Sequence, residues 1–122
     1  MKPADLQLSD VVDFELLSER LEGDTELMRE MAALYIEEYP KQFEDLQNAV
    51  HSSDLPRIQC AAHKIKGTAR SFAAAPAAES ARELEETLEI GDGRAISEMV
   101  ERLSHELRRL QFALEEYLTQ AR

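Results

Sequence analysis

Apolar residues recur in steps of three and four along most of the chain, which is the spacing of one buried helical face. Glycine and proline fall between these stretches, where helices are expected to end. No run of alternating branched residues indicates a strand. We therefore expect an all-α protein, an up-down four-helix bundle with a short extra N-terminal helix. The predicted helices are a short one after Asp13 and longer ones over about 25–50, 55–72, 76–90 and 94–119.

The long helix over about 25–50 contains Pro40, which removes one helical hydrogen bond. We expect a kink near Tyr39 rather than two separate helices. The residues expected to cap helix starts are Asp13, Asp24 and Asp54. The predicted apolar stripe of the long helix is Leu27, Met31, Leu34, Tyr35, Phe43, Leu46 and Val50. Residues 1–122 are expected to form a single domain, with the polar opening 1–9 loose.

Composition narrows the class of protein. The chain of 122 residues has 14 basic and 25 acidic side chains, a net charge of −11, which argues against nucleic acid as a partner. No apolar stretch is long enough for a membrane span, and the opening lacks a signal peptide, so we expect no membrane insertion. Cys60 is the single cysteine, which fits a reducing compartment, and we expect a cytoplasmic protein. No histidine or cysteine has a second one at ligand spacing, so no metal site is predicted.

The helix over about 55–72 carries chemistry that a simple bundle does not need. At about 100° per residue, its buried stripe is predicted to be Ile58, Ala62, Ile65, Ala69 and Phe72. His63 lies about 140° from Ile58, on the outer face, with Lys66 and Gly67 one turn further on. Gln59 and Arg70 share that face by geometry.

The glycine is the unusual residue of this face. A glycine inside a helix costs about 1 kcal/mol relative to alanine. At position 67 it removes the side chain that would crowd the imidazole of His63. An accessible imidazole beside the ammonium of Lys66 suits phosphoryl transfer, because the ring nitrogen can attack phosphorus while the cation neutralises the phosphate oxygens.

The segment from Ala62 to Ala69, AHKIKGTA, resembles the signature of the histidine-containing phosphotransfer (HPt) domain family, His-x-hydrophobic-Lys-Gly-small-small. The resemblance extends over most of the chain through Asp13–Leu17, Gly23–Asp24, Tyr39–Pro40 and Leu84–Glu85. It implies a helical bundle that accepts a phosphoryl group from a receiver-domain aspartate and passes it to another receiver. The chain departs from the family at Ala73, where many members have glycine ten residues after the histidine.

The resemblance also implies roles for individual residues. His63 would be phosphorylated, Lys66 would contact the phosphate, and Gly67 would keep access open. Glu85 would orient the ring by accepting a hydrogen bond from Nδ1–H, which leaves Nε2 as the nucleophile.

We therefore expect a phosphorelay carrier whose partners are response-regulator receiver domains, with a hybrid sensor kinase as a further candidate. No glycine-rich phosphate loop indicates an ATP site, so an enzyme is not predicted. We assign no cofactor, since any Mg²⁺ would belong to the acidic pocket of the receiver. Two alternatives remain open: a helical adaptor that is never phosphorylated, and a phosphoacceptor domain excised from a larger sensor or chemotaxis kinase.

Overall fold

The computed structural model describes residues 8–120, and within that range every regular element is a helix. The helices are α1 Leu8–Val11, α2 Phe14–Arg20, α3 Thr25–His51, α4 Leu55–Ser71, α5 Ala75–Ile90 and α6 Gly93–Gln120. The all-α prediction is confirmed. Helix α3 continues through Pro40 as one element, as the sequence predicted.

Aspartates begin most of these helices. Asp13, Asp24 and Asp54 each accept a hydrogen bond from the backbone N–H three residues on, at 2.9, 3.0 and 3.2 Å. Asp92 accepts from the N–H of Arg94 at 3.0 Å, at the start of α6. These bonds satisfy backbone donors that have no partner inside the helix. The three caps predicted from the sequence are confirmed.

The four long helices form the bundle. Helix α4 packs against α3 and α5, and α6 packs against the same two helices, so α4 and α6 lie on opposite corners. All five residues of the predicted α4 stripe are buried, none more than 4% exposed. The opposite face of α4 is therefore the one that looks outward.

The predicted stripe of α3 is wrong in part. Leu27 and Leu34 are 38% and 53% exposed. The buried residues of α3 are instead Met28, Ala32, Tyr35, Tyr39, Leu46 and Ala49. The prediction followed the larger apolar side chains, whereas the bundle buries two alanines. Leu27 and Leu34 lie about 100–120° from the centre of that buried face.

Two residues of the segment 1–9, which we expected to be loose, are helical. Leu8 and Ser9 belong to α1, and residues 1–7 lie outside the described range. Val11 and Val12 are 2% and 0% exposed, and α1 packs against α5 and α6. Burial of these two valines explains why so short a helix forms. The sequence did not predict it, because four residues are too few to show a helical period.

Helix α2 is joined to the connection between α4 and α5. The backbone N–H of Asp13 donates to the carbonyl of Ala73 at 3.0 Å. Arg20 Nη1 donates to the carbonyl of Arg70 at 2.9 Å. The ring of Phe14 stacks on Tyr117 at 5.2 Å. The two hydrogen bonds hold α2 beside the end of the helix that carries His63, and the ring stacking holds it against α6.

Helix α4 ends at Ser71, two residues before Ala73, the position at which the chain departs from the pattern it resembles. Phe72 caps the helix, and Ala73 then takes a φ of +53°. Residues other than glycine rarely adopt this left-handed backbone conformation, because their Cβ comes too close to the following carbonyl oxygen. The chain therefore ends α4 with an alanine in a strained backbone conformation.

Candidate functional site

His63 stands on the outer face of α4, and its side chain is 70% exposed. Gly67, one turn later, is also exposed, and a Cβ added there would meet no other atom within 4 Å. Packing therefore does not require the glycine. Its effect is to leave open space on one side of the imidazole.

Glu85 reaches this face from α5 and joins three side chains of α4. Its Oε2 lies 3.4 Å from His63 Nδ1 and accepts a hydrogen bond from Gln59 Nε2 at 2.7 Å. Its Oε1 lies 2.6 Å from Lys66 Nζ. Oε1 is buried and receives no hydrogen bond of regular geometry, so the ion pair with Lys66 is its contact among residues 8–120. We call Gln59, His63, Lys66 and Glu85 the Glu85 cluster.

The electrostatics of the cluster keep Glu85 ionised. Burial raises the pKa of the Glu85 carboxyl, but the ion pair with Lys66 and the contact with His63 outweigh it and hold the pKa below its usual value. A carboxylate next to Nδ1 favours the tautomer that carries its proton on Nδ1. That tautomer leaves the lone pair on Nε2, which has no hydrogen-bond partner in the part of the chain that the structure describes.

Lys66 occupies a different place from the one that the helical pattern implied. Its side chain is 15% exposed and turns to Glu85, which is 13% exposed, instead of extending into solvent. The sequence places Lys66 and Glu85 on different helices, and no pattern within either helix indicates the pair. The feature of the sequence that could have indicated this ion pair is the presence of opposite charges on two helices joined by a short connection.

Arg70 shares the outer face of α4 but does not join the Glu85 cluster. It forms no hydrogen bond or ion pair with His63 or Glu85, and it lines a cavity of about 470 Å³ at the connection between α4 and α5. The structure thus brings together four of the predicted site residues, with Gly67 beside them and Arg70 apart.

The charge of α4 is opposite to that of the chain. Helix α4 has four basic residues and no acidic one, although the chain has a net charge of −11. The basic residues are Arg57, Lys64, Lys66 and Arg70. Across residues 8–120, no group of three or more His, Cys, Asp or Glu side chains is arranged to hold a metal ion. Over the same range, no helix is both long and apolar enough to cross a membrane.

An outward histidine on an antiparallel helical bundle, with a lysine and a glycine one turn on, defines a class of histidine phosphotransfer proteins. Comparison with protein families places the chain in that class, since the Hpt domain model matches residues 30–121. The chain belongs to the Hpt domain family. Members of this family carry phosphoryl groups in two-component phosphorelays and interact with receiver domains.

A solved structure has the same fold. The HPT domain from the Hpt sensor hybrid histidine kinase from Shewanella matches with a TM-score of 0.79. The match covers 93% of this chain and 97% of that one, at 19% sequence identity. At this identity the likeness is one of fold. No curated protein matches the sequence.

Proposed function

We propose that His63 is the residue that carries the phosphoryl group. The observation that supports this most strongly is the pairing of an exposed ring with a carboxylate at Nδ1, since in the neutral ring it favours the tautomer with its proton on Nδ1 and its lone pair on Nε2. The other two histidines, His51 and His105, are exposed but belong to no such cluster among residues 8–120.

The transfer step follows from this arrangement. The Nε2 lone pair forms a bond to phosphorus while the phosphorus–oxygen bond of the donor's aspartyl phosphate breaks, and the aspartate leaves as a carboxylate. His63 keeps its proton on Nδ1, so the ring becomes cationic. The carboxylate of Glu85, 3.4 Å from Nδ1, compensates that charge. Transfer to a second receiver is the reverse of this step.

The neighbours of His63 have supporting roles in the proposal. Lys66 is one helical turn from His63 and pairs with Glu85. The oxygens of a phosphoryl group on Nε2 of His63 would compete with Glu85 for the ammonium group of Lys66. Gln59 holds the other side of the Glu85 carboxylate at 2.7 Å and fixes its position. Gly67 leaves the approach open for the partner.

The whole chain then acts as a carrier and not as an enzyme. We propose that residues 1–122 form one domain that docks two receiver domains in turn, and that it works in the cytoplasm. A hybrid sensor kinase is the candidate source of the first receiver.

The experiment that tests the proposal is transfer of labelled phosphate from a receiver domain to His63→Gln, with His105→Gln as the matched control. We expect no labelling of the first variant and normal labelling of the second, with both melting near the wild-type temperature because both side chains are exposed. Label retained by His63→Gln would refute the assignment.

A second labelling experiment distinguishes this carrier from the two alternatives, a domain of a larger kinase and a helical adaptor. Labelling by ATP with a kinase core, without labelling by any receiver, would identify a domain of a larger kinase. Receiver binding without any labelling would identify an adaptor.

A further inference from the structure

The cavity beside Arg70 is lined by one more basic than acidic side chain, and two of its arginines have no acidic partner among residues 8–120. Three arginines line it, Arg20, Arg70 and Arg82, together with Asp13 and Glu79. Asp13 is engaged in capping α2, and Glu79 binds Arg82, which also pairs with Glu86. Within residues 8–120, Arg20 and Arg70 form no ion pair.

The cavity lies on the side of α4 that a phosphoryl partner must cover. Arg70 follows His63 by seven residues, which is two turns and roughly 10 Å along the same face. A typical interface covers about 800 Å² of each partner, equivalent to a disc of roughly 16 Å radius. A partner that centres its aspartate on His63 therefore reaches Arg70.

We propose that this arginine-lined cavity is a docking subsite that binds an acidic side chain on the surface of the receiver domain, with Arg70 as its main cation and Arg20 beside it. The inference rests on the proposed function, because the partner is the receiver that meets His63. Guanidinium groups suit the subsite, since they bind carboxylates through two parallel hydrogen bonds. The surrounding chain is strongly acidic and repels acidic partners elsewhere, so the subsite also orients the encounter.

Arg20 has a second function that affects the choice of variant. Its Nη1 donates to the carbonyl of Arg70 and holds α2 in place, so replacing it would also loosen the fold. Arg70 donates no side-chain hydrogen bond to the described residues and is exposed, which makes Arg70→Gln the informative change. Arg108→Gln is the matched control, because Arg108 is exposed on α6, at the opposite corner of the bundle.

The experiment uses the full chain and the receiver domain that phosphorylates it fastest. At low salt we expect Arg70→Gln to raise the Kd for that receiver about tenfold, the effect of losing one charge-assisted hydrogen bond. Arg70→Lys should recover part of the loss, and Arg108→Gln should bind within twofold of wild type. The difference should shrink at high salt, where exposed charges are screened.

A second measurement makes failure of this inference distinguishable from failure of the proposed function. Phosphoramidate is a small donor that needs no docking, so it should phosphorylate Arg70→Gln at the wild-type rate. Loss of that reaction would place Arg70 in the phosphoryl site and overturn the subsite. Wild-type receiver affinity in Arg70→Gln, or an equal loss in Arg108→Gln, would overturn it as well. So would saturable binding of inorganic phosphate that depends on Arg70, because the cavity would then serve a free anion.

Failure of wild type itself to accept phosphate from either donor would instead refute the function of His63.

Discussion

Glu85→Gln keeps the shape of the side chain at the centre of the site and removes its charge. Lys66 then loses its ion-pair partner at 2.6 Å, and His63 loses the carboxylate at 3.4 Å from Nδ1. The two losses affect different observables. The first lowers the stability of the fold, and the second lowers the rate at which Nε2 attacks phosphorus.

The structure sets the size of each effect. Glu85 and Lys66 are 13% and 15% exposed, which lies between a surface pair worth about 0–1 kcal/mol and a buried pair whose disruption costs about 3–5 kcal/mol. We expect the free energy of unfolding to fall by about 1–2 kcal/mol. The contact with His63 is long and its ring is 70% exposed, so we expect a cost near 1 kcal/mol, or about a fivefold slower reaction.

Denaturant unfolding measures the first quantity, and phosphorylation by phosphoramidate measures the second without any receiver. The matched control is Glu89→Gln, one turn along α5 at an exposed position. Equal effects of the two variants would show that only net charge matters. A rate unchanged in Glu85→Gln would refute the orienting role, and a loss beyond about a thousandfold would mean that Glu85 takes a proton in the reaction.

Three further outcomes are expected. Gly67→Ala should raise the free energy of unfolding by up to about 1 kcal/mol, whereas Gly67→Gln should slow transfer from a receiver at an equal or higher melting temperature; normal transfer by the second variant contradicts the access role. Ala73→Gly should stabilise the chain by about 0.5–1 kcal/mol in denaturant unfolding, by relieving the left-handed φ, and a loss of stability would contradict the strain. The pKa of Glu85 is lowered in the folded chain, so its stabilisation is present at neutral pH and is lost as pH falls below the ordinary glutamate pKa and through the lowered one. Wild type and Glu85→Gln should therefore converge in stability in acid, and a difference that stays constant with pH contradicts this.

The sequence was sufficient to predict the helix that carries the site. The α4 stripe is regular, so its period identified all five buried residues and placed His63 outside them. The same period placed Gln59 on the face of His63, and in the structure Gln59 donates a 2.7 Å hydrogen bond to Glu85 from that face. Periodicity succeeds here because one helix buries one face.

Two features were beyond the reach of periodicity. The first is the buried face of α3, where Ala32 and Ala49 are buried and Leu34 is half exposed. The predicted stripe followed the larger apolar side chains, and residue size alone does not reveal which face of a helix meets the bundle. The ion pair between Lys66 and Glu85 depends on the relative placement of two helices. That placement is a tertiary property, and a one-dimensional pattern does not contain it.

Small side chains explain how the two helices come close enough to form the site. Helix α4 buries Ala62 and Ala69, and α5 buries Ala77 and Ala81, each no more than 1% exposed. The distance between packed helices depends on the side chains at their contact, and alanines allow a short one. A single glutamate on α5 is then long enough to contact three side chains on α4. The buried alanines of α4 and α5 therefore fit the close packing of these two helices, across which Glu85 reaches the side chains around His63.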